Sequence, residues 1–244
     1  MKLPSTHILL VAFTFFIFPD VTAVGKTERK REKSKTARVA PGQVSGLVVF
    51  KGVPPKRSPL SRESEPSCAK TEALSEEVIV AANRGLKDVH VRVKVVGKKA
   101  KASAEKKVNI YQNDCTYRPR VLGIVDGQNL VIHNKDGFTH NVHARIDGET
   151  WFNRGQPKGL PPLIQKDYGE AGQVLELGCD IHPWMKAFVV ISDHPHFSVT
   201  NKNGEFKIDG LAPNQTVTVE AWHPKLGMKS KEVKTGSTLS IEFP

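Results

Sequence analysis

The sequence predicts an all-β protein composed of two β-sandwich units. Short segments rich in β-branched residues recur along the chain, separated by turns that contain Gly, Pro and Asn, as is typical of sandwiches. The clearest pattern covers residues 89–96, where valines alternate with His90, Arg92 and Lys94. This period of two predicts a strand with one buried and one solvated face. We find no convincing amphipathic helical pattern in the chain.

Further strands are expected where similar segments are bounded by turn residues. Asp126 and Gly127 separate two of them, residues 121–125 and 129–133, and this arrangement predicts a β-hairpin. The stretch 151–163 is rich in Gly and Pro and is expected to be a loop. The remaining expected strands cover residues 43–50, 78–81, 107–111, 173–177, 186–192, 197–200, 205–208, 217–222 and 237–243.

The first 23 residues have the features of a secretory signal peptide. Lys2 precedes an apolar core at residues 8–18, and Val21, Thr22 and Ala23 form a small-residue cleavage site. The apolar run is too short to span a bilayer, and an uncleaved anchor is the alternative. We therefore expect an exported protein, periplasmic or secreted, with no transmembrane segment after signal cleavage.

The charge balance suggests which partners the protein meets. The formal net charge is +11, which favours acidic partners or anionic surfaces. Residues 24–38 are strongly basic and almost free of apolar side chains, so we expect a disordered tail. Because the chain carries an export signal, we expect no nucleic-acid partner and interpret the tail as a solvated spacer.

The three cysteines are informative in an exported protein. In an oxidising compartment two of them are expected to pair, which leaves one over. Cys179 is surrounded by other metal-ligating residues, so Cys68 and Cys115 form the natural disulfide. Connectivity does not follow from sequence alone, and Cys179 could instead be a buried thiol or half of another disulfide.

A cluster of metal-ligating residues provides the clearest functional signal. Cys179, His182 and Met185 follow one another at Cys-x2-His-x2-Met spacing, and His140 directly follows a turn some forty residues earlier. Two imidazoles, one thiolate and a distant thioether are the ligand set of a blue-copper centre, and soft sulfur ligands select copper over hard cations. In the alternative interpretation, His182 lies on the surface and Met185 fills the core.

His143 is a second candidate on the same segment as His140. The two histidines are three residues apart, so in an extended strand they face opposite ways and one of them at most contacts the metal. We select His140 because it follows the turn at residues 134–137. His143 is then expected to be a hydrogen-bonded neighbour, with a non-standard site that uses it as the alternative.

Residues 134–143 and 179–185 resemble the two copper-binding segments of cupredoxins, and the short Cys-x2-His-Pro-aromatic-Met loop is similar to that of amicyanin. The resemblance covers roughly residues 108–192. It implies a cupredoxin-like Greek-key sandwich with one type 1 copper ion. It assigns the copper ligands as His140, Cys179, His182 and Met185, and it assigns Asn141 to the link between the two ligand loops. It also implies that His182 is exposed and that Pro183 and Trp184 beside it form the surface where electrons leave. Residues 175–177 lack the aromatic that usually precedes the Cys, which leaves the partner and the potential open.

The flanking segments resemble a different family. Residues 197–243 look like a carboxypeptidase regulatory-like (transthyretin-like) β domain, and residues 43–50 are similar to the opening strand of such domains. The expected organisation is a signal peptide (1–23), a basic tail (24–38), an N-terminal β region (39–107), the copper domain (108–192) and the regulatory-like domain (193–244). The N- and C-terminal strands could share one sandwich into which the copper unit is inserted.

Together these features predict an exported blue-copper protein that carries single electrons between redox partner proteins and catalyses no bond-breaking step. Two alternatives remain open. One is an envelope protein that binds or buffers copper through the same residues. The other is a non-catalytic binding module in which the regulatory-like domain recognises a polysaccharide or a protein and the metal site is vestigial.

Overall fold

A computed structural model describes residues 39–63, 65–70, 72–94 and 107–244. The expected signal peptide and basic tail lie outside these residues. All regular elements in the described ranges are β-strands, so the all-β class is confirmed. Within the same ranges, no helix has the length and apolar content needed to cross a membrane.

Sixteen strands occur in the described part of the chain. Their bounds are β1 Val44–Phe50, β2 His90–Lys94, β3 Lys107–Asn113, β4 Thr116–Arg118, β5 Val121–Val125, β6 Asn129–Asn134, β7 His140–Ile146, β8 Glu149–Gln156, β9 Leu163–Gln165, β10 Val174–Gly178, β11 Lys186–Ser192, β12 Phe197–Val199, β13 Glu205–Ile208, β14 Thr216–His223, β15 Gly227–Lys234 and β16 Thr238–Phe243.

Strands β3 to β11 form the first sandwich. One sheet has the order β5-β11-β10-β7-β8, and the other has the order β4-β3-β6-β9. The pairs β5–β11 and β3–β6 are parallel, whereas β10 is antiparallel to both β7 and β11. Apolar side chains from both sheets meet in one core, which includes Ile110, Leu130, Val142, Leu177 and Val189.

The second sandwich is built from strands at both ends of the described chain. Its sheets have the orders β13-β1-β16 and β12-β2-β14-β15. Strand β1 pairs antiparallel with β13 and parallel with β16, and β2 pairs with both β12 and β14. Residues 107–192 lie between β2 and β12 in the sequence. The insertion hypothesis requires N-terminal and C-terminal strands to share one sandwich, and β1 pairs with β13 and β16 as it requires.

The two sandwiches pack against each other through strands β2, β5 and β12. The rings of His90 and Phe197 lie 5.1 Å apart, and a Cβ atom at Gly123 would lie 2.3 Å from the Phe197 ring. His90 is only 1% exposed. The expectation that the polar face of β2 is solvated is therefore wrong for His90, because the first sandwich covers it; Lys94 on the same face is exposed.

The expected hairpin across Asp126 and Gly127 is wrong. Strand β5 pairs with β11 in one sheet, whereas β6 pairs with β3 and β9 in the other, so this turn connects the two sheets. Residues 78–81 contribute a single bridge at Val80 instead of a strand. Strand β8 occupies part of the stretch expected to be a loop, and strands β4, β9 and β15 were not expected.

Candidate metal centre

Three strand ends bring the predicted ligands together. His140 begins β7, Cys179 directly follows β10, and Met185 directly precedes β11. Gly178, the last residue of β10, pairs with His143 on one side and with Lys186 on the other. The start of β7, the end of β10 and the start of β11 therefore lie at the same edge of one sheet.

Alternation along β7 decides which of its histidines faces the core. His140 and Val142 are buried, whereas Asn141 and His143 lie on the opposite, partly exposed face. This arrangement follows from the period of two in a strand. His140 is thus directed toward Cys179, and His143 is directed away from it.

The candidate centre consists of three buried side chains with nitrogen and sulfur donors. The Nδ1 atoms of His140 and His182 lie 2.9 Å apart, and the Cys179 Sγ atom lies 3.9 Å from the first and 3.5 Å from the second. Their exposed fractions are 0%, 4% and 1% for His140, Cys179 and His182. Met185, which is also buried, belongs to the same core cluster as Cys179.

These separations fit a single bound metal ion. The three donor atoms lie within 4.8 Å of one another. An ion placed about 2.0 Å from each nitrogen and about 2.3 Å from the sulfur separates its ligands by roughly 3.2–3.9 Å. The two distances from the Cys179 sulfur fall in this range, and the two nitrogens, 2.9 Å apart, would need to separate by a few tenths of an ångström. Thiolate and imidazole donors suit copper or zinc, and the neighbouring thioether favours copper.

The protonation equilibria of Cys179 and His182 favour metal binding. Burial opposes ionisation of Cys179, but hydrogen bonds with the His140 ring and with the backbone of Asn141 outweigh it and lower the pKa of the thiol. Burial, together with the nearby His140, lowers the pKa of His182. A thiolate and a neutral imidazole are the forms that ligate metals, so these two shifts reduce the proton release that opposes binding. His140 acts in the opposite direction: burial lowers its pKa, but hydrogen bonds with Asp136 and Cys179 outweigh burial and raise it.

Asp136 holds the other side of the His140 ring. His140 Nε2 lies 2.8 Å from Asp136 Oδ2, and the same carboxylate accepts hydrogen bonds from the backbone amides of Asp114 and Cys115. Burial opposes ionisation of Asp136, but these hydrogen bonds lower its pKa. Sequence reasoning missed Asp136, although it stands in the turn directly before His140.

Asn141 connects the two ligand segments. Its Oδ1 atom accepts hydrogen bonds from the Cys179 thiol at 3.2 Å and from the Asp180 backbone amide at 2.7 Å. Its amide group donates to the Asp180 carboxylate at 2.8 Å. These contacts tie β7 to the loop that follows β10.

His143 supports the same loop from outside. Its Nδ1 atom lies 2.7 Å from Asp180 Oδ1 and its Nε2 atom lies 2.8 Å from Thr150 Oγ1. The hydrogen bond with His143 lowers the pKa of Asp180 to about 2. His143 does not belong to the donor cluster found among the described residues.

The ligand loop is also fixed from the side of the other sheet. Trp184 Nε1 donates to the Cys115 carbonyl at 2.9 Å, and the Tyr117 hydroxyl donates to the Gly178 carbonyl at 3.1 Å. Cys68 and Cys115 are joined by a disulfide, and Cys179 remains free. The disulfide attaches the segment around Cys68 to the sandwich that holds the candidate centre.

The expectation that His182 lies at the surface is wrong. Pro183 beside it is exposed and Trp184 is half-buried, but His182 itself is buried. Arg62 and Glu65, from the segment attached by the disulfide, are its charged neighbours. The sequence of the ligand loop does not indicate these neighbours, because Arg62 and Glu65 precede it by more than a hundred positions.

Comparison with solved structures finds cupredoxins. A purple cupredoxin from Nitrosopumilus maritimus is similar at 24% identity, over 34% of this chain and 98% of its own, with a TM-score of 0.30. Amicyanin from Paracoccus versutus is similar at 18% identity, over 42% of this chain and 97% of its own, with a TM-score of 0.32. No family model and no curated protein matches the chain.

Proposed function

We propose that the protein is an exported type 1 copper protein that carries single electrons between redox partners. The observation that carries this proposal is the buried convergence of His140 Nδ1, His182 Nδ1 and Cys179 Sγ at separations of 2.9–3.9 Å. Met185 would be the weak fourth ligand. A bound copper ion would supply the Cu(II)/Cu(I) couple, and the chain would supply its environment.

The chain's contribution would be to keep the ligands in one geometry. His140 is held by Asp136, the loop after Cys179 is held by Asn141, and the loop after His182 is held through Trp184. Ligands fixed by packing and hydrogen bonds move little when the charge at the metal changes. A small rearrangement between oxidation states favours fast electron transfer, and the burial of His140, Cys179 and His182 would keep water from the metal.

The exposed Pro183 and half-buried Trp184 remain our proposed electron-exit surface. Both line a cavity of about 180 Å³ whose charged residues are Arg118, Arg120, Lys186, Glu76 and Glu77, with Arg118 paired to Glu76. The net charge of +11 supports an acidic redox partner. The second sandwich, which resembles a regulatory-like domain, would serve as the scaffold into which the copper unit is inserted.

The proposal is tested by comparing the natural protein with Cys179→Ala after addition of Cu(II). The natural protein should show an intense visible thiolate-to-copper band and reversible one-electron electrochemistry. The variant should lose the band, while its circular dichroism and its melting temperature without metal stay close to those of the natural protein. An intense band in Cys179→Ala would contradict the ligand assignment. Colour without reversible electrochemistry, with copper lost rapidly to a chelator, would favour copper buffering.

A further inference from the structure

Each candidate imidazole ligand has a carboxylate near the nitrogen that faces away from the site. His140 Nε2 lies 2.8 Å from Asp136 Oδ2, and His182 Nε2 lies 4.0 Å from Glu65 Oε2. The two arrangements differ in completeness. His140 has its hydrogen bond, whereas His182 Nε2 is buried and has no hydrogen-bond partner among the described residues.

This nitrogen needs an acceptor once a metal is bound. An imidazole that ligates through Nδ1 carries its proton on Nε2, and ligating histidines almost always donate that proton to a carboxylate, carbonyl or water. A buried N–H without an acceptor is destabilising, because it has lost its hydrogen bonds to water and gained none in the protein. Closing the gap between His182 and Glu65 from 4.0 Å to hydrogen-bond distance requires a shift of about 1 Å.

The local structure positions the Glu65 carboxylate. Its Oε1 atom accepts from the Ser67 backbone amide at 3.2 Å, which leaves Oε2 toward His182. The Glu65 carbonyl accepts from the amides of Cys68 and Ala69 at 2.9 and 3.1 Å. Glu65 is therefore held within a tight turn that ends at the disulfide.

We name residues 62–69, apart from position 64, the cover segment. Arg62 Nη2 donates to the Asp114 carbonyl at 3.1 Å, and its guanidinium lies 5.9 Å from the centre of the Trp184 ring. The Cys68–Cys115 disulfide joins the cover segment to the residue whose amide donates to Asp136. The two carboxylates that face the two imidazoles are thus connected through one disulfide and one hydrogen bond, from the Cys115 amide to Asp136.

We propose that Glu65 is the positioning residue for His182, as Asp136 is for His140, and that the disulfide holds Glu65 in this role. The inference rests on the proposed function. A carboxylate behind the imidazole fixes its orientation and increases its electron donation, which favours Cu(II) over Cu(I). Loss of such a partner typically costs 10–100-fold in metal affinity.

The test compares Glu65→Ala and Glu65→Gln with Glu63→Ala, a matched control that removes an exposed carboxylate from the same stretch of chain. Cu(II) affinity is measured by competition with a chelator, and the reduction potential by voltammetry. We expect Glu65→Ala to bind Cu(II) 10–100-fold more weakly than the control and to have a higher potential. Glu65→Gln keeps an acceptor and should recover most of the affinity.

A second measurement reports on the hydrogen bond itself. In the protein loaded with diamagnetic Cu(I) or Zn(II), nitrogen NMR should show a slowly exchanging His182 Nε2–H that becomes fast in Glu65→Ala. Melting temperatures of the metal-free variants check that they fold.

The two proposals fail in different ways. If the natural protein forms no thiolate–copper band, the proposed function fails and the role of Glu65 fails with it. If the band forms and Glu65→Ala matches Glu63→Ala in affinity, potential and exchange, only the role of Glu65 is overturned.

Discussion

The Oδ1 atom of Asn141 lies 3.2 Å from the Sγ atom of Cys179 and also accepts the backbone amide of the next residue, Asp180, at 2.7 Å. One side chain on β7 thus fixes both the sulfur and the chain direction that leads to His182. The relationship explains how two segments separated by nearly forty residues keep their donor atoms in register.

Replacing Asn141 should therefore loosen the centre without removing a ligand. Asn141→Ala should weaken Cu(II) binding by about 10–100-fold, because the position of the sulfur is no longer fixed. It should also lower the free energy of unfolding of the metal-free protein by about 0.5–1.5 kcal/mol, because the Cys179 thiol and the Asp180 amide lose their acceptor. Chelator competition and urea denaturation measure the two effects. Asn153→Ala, which removes an outer contact to Asp180, is the control, and equal losses in both variants would contradict this role.

Met185 should tune the potential more than it holds the metal. Met185→Leu conserves volume, so it should cost less than about 1.5 kcal/mol of stability and leave the intense band in place. Removing a weak sulfur donor should raise the reduction potential, by about 59 mV for each tenfold shift in the Cu(II)/Cu(I) equilibrium. Voltammetry measures the change against Met228→Leu, a variant of an exposed methionine. An unchanged potential would show that Met185 is a packing residue alone.

The buried His90 should make the protein sensitive to acid. Burial, followed by the charges of Arg92 and His194, lowers the pKa of His90 from 6.5 to about 3. The unfolded chain therefore binds a proton that the folded chain resists, and this contribution to stability is present above pH 6.5 and is lost as the pH falls toward 3. The expected slope is about 1.4 kcal/mol per pH unit.

The effect of His90 is separated from other groups by a non-titrating variant. His90→Gln should reduce the pH dependence of the free energy of unfolding between pH 6 and 4, measured by urea denaturation of the metal-free protein. His196→Gln, in the segment before β12, is the control. If His90→Gln keeps the full slope, the acid sensitivity originates elsewhere.

The pairing of β1 with β16 should depend on Gly46. A Cβ atom at this position would lie 1.9 Å from the Leu239 carbonyl oxygen, so Gly46→Ala forces the two backbones apart. We expect a loss of about 1–3 kcal/mol in the free energy of unfolding, with the copper band retained because the donors lie in the other sandwich. Gly155→Ala has open space around its new Cβ and should change stability by less than about 1 kcal/mol. Equal stabilities of the two variants would contradict the observed pairing.

The donor cluster could be predicted from sequence because its residue types are chemically distinctive. Three soft or borderline ligands within seven positions, and a histidine after a turn, already define a copper-type set. The alternation that separates His140 from His143 follows from strand geometry alone. The structure brings His140, Cys179 and His182 together, and it places Met185 in the same core.

The supporting residues could not be predicted in the same way. Asp136 and Glu65 are ordinary acidic residues in sequence, and their meaning comes from which ring nitrogen they face. Arg62 and Glu65, which are charged neighbours of His182, come from a distant segment attached by the disulfide. Strands β8 and β15 were missed for a different reason. Both are exposed over most of their length, so their sequences lack the apolar alternation that predicts a strand.

Contacts between distant parts of the chain explain the remaining differences. His90 looked like a solvated residue because it alternates with valines, but a second sheet covers it. The turn at Asp126 and Gly127 has the composition of a hairpin, yet parallel pairing of β5 with β11 draws its two strands into different sheets. Long-range sheet order, rather than local preference, decides both outcomes.

Copper K-edge X-ray absorption of the protein loaded with one equivalent of Cu(II) tests the central claim most directly. We predict two nitrogen ligands at about 2.0 Å and one short sulfur ligand at about 2.3 Å or less, from His140, His182 and Cys179. The sulfur contribution should disappear in Cys179→Ala. A spectrum of the natural protein that contains nitrogen and oxygen ligands alone would contradict the assignment of this site as a type 1 copper centre.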